Sequence, residues 1–182
     1  MEHHGKGIFV VGLLVVLSIF EAKACNGGFE LIIESIENCG GSDQVVTIDP
    51  KSTATLTEDC KVNSKSTVKT PGFKTADMTV TISKNGLPVV NEQIDLCASM
   101  EDSKNNKDAA EIMTMFGVPD HCPVEATEIK TDESQEYSLE KYKQHLFMAE
   151  GNIQVDCKVV HDNGESCFKV NMQVKKNGGL IG

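Results

Sequence analysis

The sequence predicts an all-β fold, an immunoglobulin-like β-sandwich of two antiparallel sheets with one short helical segment at most. Two observations predict it. Apolar and polar residues alternate with a period of two in several segments, which is the pattern of half-buried strands. Turn signals that contain Gly and Asn separate these segments at regular intervals, while helical patterns are rare.

The clearest strands form two hairpins. The segments 152–160 (NIQVDCKVV) and 167–174 (CFKVNMQV) both alternate strictly, and an Asn-Gly turn lies between them. The segments 76–83 (ADMTVTIS) and 87–96 (LPVVNEQIDL) flank a second Asn-Gly pair. Asn-Gly between alternating segments is the strongest short-range signal of a hairpin, so both pairs are predicted to be antiparallel neighbours.

Three segments near the start of the chain add strand candidates, namely 29–36 (FELIIESI), 44–48 (QVVTI) and 53–62 (TATLTEDCKV). With the hairpins they make about seven strands, the number typical of a sandwich. The best helix candidate is 107–117 (KDAAEIMTMFG), which ends at a Gly with a Pro beyond it. The segment 138–148 (SLEKYKQHLFM) is a second helix candidate or a single turn that leads into a strand.

The amino terminus predicts a secretory signal peptide over 1–24. A charged start precedes the uncharged run 8–20, and Ala22 and Ala24 form a small-residue cleavage pattern. A membrane anchor is the alternative, but it needs roughly 20 apolar residues, more than this run has. Residues 25–182 are then one secreted domain, with a frayed tail over 175–182. An endolysosomal compartment is the alternative address.

The charge of the chain limits its partners. The net charge is -10 and arginine is absent. The predicted signal peptide contains two Glu and two Lys, whose charges cancel, so its removal leaves the net charge of the mature chain unchanged. A strongly acidic chain without arginine is a poor ligand for nucleic acid, so no nucleic-acid partner is expected.

The seven cysteines predict disulfides, because they all follow the signal peptide and meet an oxidising compartment. Seven is odd, and Cys25 at the new amino terminus is our candidate for the unpaired thiol. Strand phase points Cys60 and Cys157 inward, so that they could meet across the core. Cys167 lies on the polar face of its strand and needs a partner from an edge, for which Cys39 is a reasonable choice.

The adjacent His121 and Cys122 lie between two prolines in the segment 116–126 (FGVPDHCPVEA). A zinc site needs further ligands at short spacing, which this chain lacks. A cysteine nucleophile needs a free thiolate, and a secreted cysteine with an available partner is usually oxidised. The sequence therefore predicts a stiff, disulfide-bonded loop here. No catalytic residue, metal or cofactor is predicted anywhere, and no enzyme activity.

The chain resembles the ML (lipid-recognition) domain family. The resemblance rests on 94–97 (IDLC), 116–124 (FGVPDHCPV) and 151–174 (GNIQVDCKVVHDNGESCFKVNMQV), in that order and spacing. Within the family the chain is most similar to the ganglioside activators and more distantly to the Niemann-Pick sterol-transfer proteins. The members are secreted β-sandwiches whose sheets enclose an apolar cavity.

The resemblance implies two disulfides. Carried over residue by residue, Cys39 pairs with Cys167 and Cys97 pairs with Cys122. Cys60 and Cys157 have no counterpart in the resemblance, so a bridge between them is a hypothesis that rests on strand phase alone.

The resemblance also implies a function without catalysis, in which the cavity takes up a lipid to carry or present it. The implied ligands are a glycolipid or other sphingolipid, a sterol or a fatty acyl lipid. The implied partners are a lipid-processing enzyme or a receptor, with transient membrane contact. The alternatives are a sensor of microbial or environmental lipids in innate immunity or chemosensation, and a secreted protein ligand or inhibitor that acts through its surface and has a fully packed interior.

Two sets of residues are predicted to contact the lipid. The first consists of apolar residues in inward strand phase: Met78, Val80, Ile82, Ile94, Leu96, Ile153, Val155, Phe168, Val170 and Met172. The second consists of flexible or aromatic residues in connecting segments, expected toward the cavity mouth because methionine suits adaptable binding surfaces: Met113, Met115, Phe116, Phe147 and Met148.

Overall fold

The computed structural model describes residues 25, 28–107, 110, 118–134 and 136–176. The predicted signal peptide lies outside these residues, as does most of the predicted helix over 107–117. The elements in chain order are β1 (Phe29–Asn38), β2 (Thr47–Ile48), β3 (Thr53–Leu56), β4 (Lys61–Thr70), β5 (Ala76–Lys84), β6 (Leu87–Asp95), α1 (Leu96–Ser103), β7 (Thr127–Thr131), β8 (Glu136–Ser138), a 3-10 helix (Glu140–His145), α2 (Leu146–Ala149), β9 (Gly151–His161) and β10 (Gly164–Lys176).

The first sheet has five antiparallel strands in the order β1-β10-β9-β5-β6. Both predicted hairpins are confirmed, as β9–β10 and β5–β6. At the tip of the second hairpin, Asn85 and Gly86 have positive φ values of 50° and 80°. This left-handed backbone is the one that a two-residue hairpin turn requires, and Asn and Gly adopt it at little cost.

The second sheet is built around one long strand, β4. The short strands β2, β3, β7 and β8 all pair antiparallel with β4. The two sheets make the all-β sandwich that the sequence predicts. The described residues contain ten strands rather than about seven, because the outer strands of this sheet are too short to produce a visible alternation.

The prediction of one short helical segment at most is wrong. Strand β6 ends at Asp95, whose Oδ1 accepts a hydrogen bond from the Ala98 backbone N–H at 3.0 Å and so caps α1. A second helical stretch follows β8, where the 3-10 helix continues into α2. This stretch falls in the predicted segment 138–148, but the first residue of that segment, Ser138, ends β8; its Oγ accepts a hydrogen bond from the Glu140 N–H at 3.3 Å.

The carboxyl-terminal strand is longer than expected. Lys175 and Lys176 belong to β10 and pair with Glu30 and Phe29, so the tail predicted over 175–182 does not begin at 175. Residues 177–182 lie outside the described residues. Among the residues that the structure describes, no helix is both long and apolar enough to span a bilayer.

Three disulfides join distant parts of the sandwich: Cys25–Cys60, Cys39–Cys167 and Cys97–Cys122. The second and third are the pairs that the resemblance implies. The proposed Cys60–Cys157 bridge and the unpaired Cys25 are wrong, since Cys157 is the free thiol.

The error over Cys60 has a structural cause. Segment 53–62 is not one strand, because β3 ends at Leu56 and a turn over 57–60 precedes β4. The alternation of inward and outward side chains along β3 therefore does not continue through this turn, in which Cys60 has a φ of 62°. Cys60 is therefore buried beside Cys25 and Phe29, away from the centre of β9.

Two buried clusters pack toward the two ends of the sandwich. One surrounds Phe73, Val124, Val159 and Phe168, and is called the Phe73 end below. The other contains the Cys25–Cys60 disulfide with Phe29, Leu146 and Val174, and is called the Cys60 end.

We expect Cys25→Ser to lower the free energy of unfolding by about 3–4 kcal/mol, because the Cys25–Cys60 disulfide closes a loop of 35 residues. Cys157→Ser is the matched control and should cost less than about 1 kcal/mol, since it breaks no bridge. Denaturant unfolding of both variants checks the difference. A peptide map of the unreduced protein should show Cys157 as the only thiol, and a free Cys25 there would contradict the assignment.

Candidate functional site

The candidate site is a cavity of about 610 Å³ between the two sheets. This volume lies within the roughly 300–1,000 Å³ that is usual for small-molecule sites. The first sheet contributes side chains from β1, β5, β9 and β10, and the second contributes them from β2, β3, β4 and β7. The lining residues are Leu31, Ile33, Ile36, Val46, Ile48, Ser52, Thr53, Ala54, Val62, Ser64, Ser66, Val68, Thr70, Phe73, Met78, Leu96, Met100, Val118, Pro119, Val124, Ile129, Cys157, Val159, His161, Phe168, Val170 and Met172.

The cavity exists because the inner face of the second sheet carries small side chains. The side chains that β4 turns toward the cavity alternate along the strand: Val62, Ser64, Ser66, Val68 and Thr70. Ala54 of β3 lies directly opposite Ser64 in the sheet. Hydroxymethyl and methyl groups do not reach the opposite sheet, so the space that leucine or phenylalanine would fill stays open.

The loop 118–124, which precedes β7, forms one wall of the cavity. Val118 and Pro119 line it, and Val118 is also 40% exposed, so the cavity meets the surface beside this loop. Thr53 on the edge strand β3 is the other exposed lining residue.

One disulfide and one pair of backbone hydrogen bonds hold this loop. The Cys97–Cys122 disulfide ties it to α1, and the Cys122–Pro123 peptide bond is cis. Val124 and Phe73 exchange two backbone hydrogen bonds of 2.8 and 3.0 Å. Gly72 permits this approach, because a Cβ there would lie 2.7 Å from the Val124 carbonyl oxygen.

His121 lies on the outer side of the same loop. Its side chain is 59% exposed, and its Nδ1 lies 2.7 Å from Oδ1 of Asp120. This contact lowers the pKa of Asp120. The neighbouring Cys122 has no free thiol, since it is bonded to Cys97. The His121–Cys122 pair therefore contains no nucleophile, and His121 does not line the cavity.

Five of the ten residues predicted from strand phase line the cavity: Met78, Leu96, Phe168, Val170 and Met172. The other five are half-buried on the first sheet but lie outside the lining: Val80, Ile82, Ile94, Ile153 and Val155. The alternation along a strand shows which side chains point to the inner face of the sheet, but it does not show how much of that face the opposite sheet covers. The narrow second sheet leaves these five positions beyond the cavity.

The residues predicted at the mouth divide into two groups. Phe147 and Met148 are exposed on α2, at 60% and 54%. Their helix packs at the Cys60 end through Leu146, whereas Val118 and Pro119 lie near the Phe73 end. Neither residue lines the cavity, and both lie at the opposite end of the sandwich from Val118, so their contact with a lipid stays a prediction. Met113, Met115 and Phe116 lie outside the described residues.

Strands β1 and β4 contribute eight of the 22 lining residues that sequence reasoning missed. Strand β1 was predicted, but none of its residues was assigned to the cavity, to which it contributes Leu31, Ile33 and Ile36. Strand β4 was missed beyond Val62, although lysines alternate with the lining residues at positions 61, 65 and 69. That spacing of four fits one face of a helix as well as alternate positions of a strand, so it did not decide between them.

The cavity wall is uncharged. Its titratable residues are Cys157 and His161, and burial shifts both toward the neutral form, raising the pKa of the thiol and lowering that of the imidazole. Two polar atoms on the wall, Oγ of Ser64 and Nδ1 of His161, are buried without a hydrogen-bond partner in the part of the chain that the structure describes. These described residues also contain no group of His, Cys, Asp and Glu that could hold a metal ion.

No protein-family model matches the chain. The chain is 63% identical over 182 residues to the sporozoite-associated mosquito saliva protein 1 of Anopheles gambiae, and the match covers 100% of both chains. Three disulfides are typical of a protein outside the reducing cytosol, as a saliva protein is. The chain is therefore a secreted protein and belongs to the family of the sporozoite-associated mosquito saliva protein 1.

Proposed function

We propose that this secreted protein is a member of the ML lipid-recognition class that takes a lipid into the cavity between its sheets to carry or present it, without catalysis. The observation that carries the proposal is the cavity itself, about 610 Å³ of uncharged and mostly apolar space inside a small domain. Natural interiors are close-packed, so an unfilled apolar volume of this size needs a reason. Ligand binding is the reason that fits its chemistry best.

The physical drive for binding is the burial of apolar ligand surface. Each Å² removed from water contributes about 25 cal/mol. The cavity-facing side chains of β1 and β10 are aliphatic or aromatic, so a hydrocarbon chain meets no unpaired charge on entry. The Cys39–Cys167 and Cys97–Cys122 disulfides are the two pairs that the resemblance implies, which also supports the proposal.

Two other functions were open at the level of the sequence. A surface-acting ligand or inhibitor would have a packed interior, and the cavity argues against that reading. A lipid sensor needs the same cavity as a carrier and differs only in what the lipid complex does after binding.

The name of the relative refers to saliva and to sporozoites. We therefore propose that this chain is also a salivary protein, and that it associates with sporozoites either through its protein surface or through its bound lipid.

The direct test is identification of co-purified lipid. We expect native mass spectrometry of the protein, purified without detergent, to show one lipid per chain, and organic extraction to release that lipid. Cys157 lies on the cavity wall and provides a second readout. Its alkylation should slow about tenfold when lipid is added at about ten times its Kd, because only the empty form reacts. Repeated absence of lipid together with unchanged alkylation would refute the proposal.

Filling the cavity should separate binding from folding. We expect Ser64→Leu to weaken lipid binding at least tenfold while the unfolding temperature stays the same or rises, since the change fills a void and removes an unpaired hydroxyl. Val170→Phe fills the cavity from the opposite sheet and should act in the same way. Thr67→Leu is the matched control on the outer face of β4.

Binding is measured by displacement of a fluorescent apolar probe. Equal affinity in Ser64→Leu, Val170→Phe and Thr67→Leu would contradict the intersheet site. Sporozoite association measured on the same variants distinguishes the two routes proposed above, because a surface contact survives filling of the cavity and a lipid-dependent contact does not.

His121→Ala should leave lipid affinity within about twofold and the unfolding temperature nearly unchanged, because an exposed ion pair contributes little. Probe displacement and calorimetry check both values. Turnover of lipid esters should be absent before and after the change. A measurable turnover that disappears in this variant would instead restore the histidine as a catalytic residue.

A further inference from the structure

His161 is the one imidazole on the cavity wall among the described residues, and it is 7% exposed. It ends β9 at the Phe73 end, where its ring lies 4.6 Å from the Phe73 ring. Its Nε2 lies 3.0 Å from Oγ of Ser166, a residue with no exposed surface. Its Nδ1 has no hydrogen-bond partner among the residues that the structure describes.

The contacts of Ser166 decide which nitrogen of His161 carries the proton. The Ser166 hydroxyl oxygen accepts a hydrogen bond from the Val46 backbone N–H at 2.8 Å. In the described part of the chain, its own proton has Nε2 of His161 as its acceptor. If Nε2 carried the proton instead, the Ser166 hydroxyl proton and Nδ1 would both be unsatisfied. One unsatisfied buried group costs less than two, so Nδ1 carries the hydrogen.

The neutral imidazole thus leaves an unused, buried N–H donor on a residue that lines the apolar cavity. The carboxylate next to it in the chain, Asp162, does not take this donor. Oδ1 of Asp162 accepts the backbone N–H groups of Lys74 and Thr75 at 2.7 and 3.2 Å. These bonds lower the pKa of Asp162 and hold it outside the cavity.

We infer that Nδ1–H of His161 donates a hydrogen bond to a neutral carbonyl oxygen of the bound lipid, that of an ester or an amide. This inference rests on the proposed function and adds the chemical class of the ligand. A carbonyl needs only a donor, which is what this position supplies. A hydroxyl would bring a proton of its own into an apolar wall, and a carboxylate would bring a charge to a lining without a cation.

The position of His161 also orients the ligand. The carbonyl lies at the Phe73 end, near the loop at which the cavity meets the surface. The hydrocarbon chain then extends along β4 toward Val62 at the Cys60 end. The lining residues of β4 run from Thr70 to Val62, a distance of roughly 26 Å for an extended strand.

The test compares methyl laurate with tetradecane, which matches its length but has no carbonyl, by displacement of a fluorescent apolar probe. The variants are His161→Asn and His161→Leu. Asn places an amide donor near the position of Nδ1, whereas Leu has nearly the same shape and no donor. Both remove the partner of Ser166 equally, so the comparison isolates the donor. Thermal unfolding of both variants verifies that they are folded.

We expect the wild type and His161→Asn to favour the ester over the alkane by about tenfold more than His161→Leu does. In His161→Leu, the ratio of 1-tridecanol affinity to alkane affinity should fall less, relative to the wild type, than the ratio of ester affinity to alkane affinity. An equal ratio of ester to alkane affinity in all three proteins would overturn the inference and leave the lipid carrier intact. Failure of the wild type to bind any of these probes would overturn the proposed function, and the inference with it.

Discussion

The structure depends on one packing constraint: two sheets are held at a fixed spacing while one of them lacks the side chains to fill the space between them. Clusters around Phe73 and around the Cys25–Cys60 disulfide pack the two sheets together toward the two ends. Between these clusters, Ser64, Ser66 and Ala54 leave the centre open. Without such packing the sheets would move together over these small residues, so the end clusters and the cavity depend on each other.

The same constraint determines what the cavity can hold. Its wall has no charge, and its two ionisable groups are shifted toward their neutral forms by burial. Under the proposed function, apolar burial supplies most of the binding free energy of the lipid, and the few polar atoms discriminate between classes of ligand. On the described part of the wall, Oγ of Ser64 and Nδ1 of His161 are buried without partners. Leaving them unpaired costs free energy in the empty protein, and a ligand that pairs with them would remove that cost.

The loop 118–124 connects the cavity to the outside. It is fixed by the Cys97–Cys122 disulfide and by the backbone pairing of Phe73 with Val124, so the wall that it provides is stiff. His121 and Cys122 looked like a reactive pair in the sequence. In the fold, Cys122 is bonded and His121 faces solvent, and the residues of the loop that line the cavity are Val118, Pro119 and Val124.

The sequence by itself determined the sandwich, both hairpins and the inward face of β5, β9 and β10, because alternation and Asn-Gly turns are local properties of the chain. It also carried, through the family resemblance, the pairing of Cys39 with Cys167 and of Cys97 with Cys122. Only the tertiary structure decided the partner of Cys60, since a turn interrupts the phase that pointed it toward Cys157. The tertiary structure alone also placed Val80 and Val155 outside the cavity and Ser64 and His161 on its wall. The physical reason is that a cavity depends on two sheets at once. Its extent is determined by how far each sheet reaches and by which side chains do not meet across the interior, and the sequence of a single segment does not contain this information.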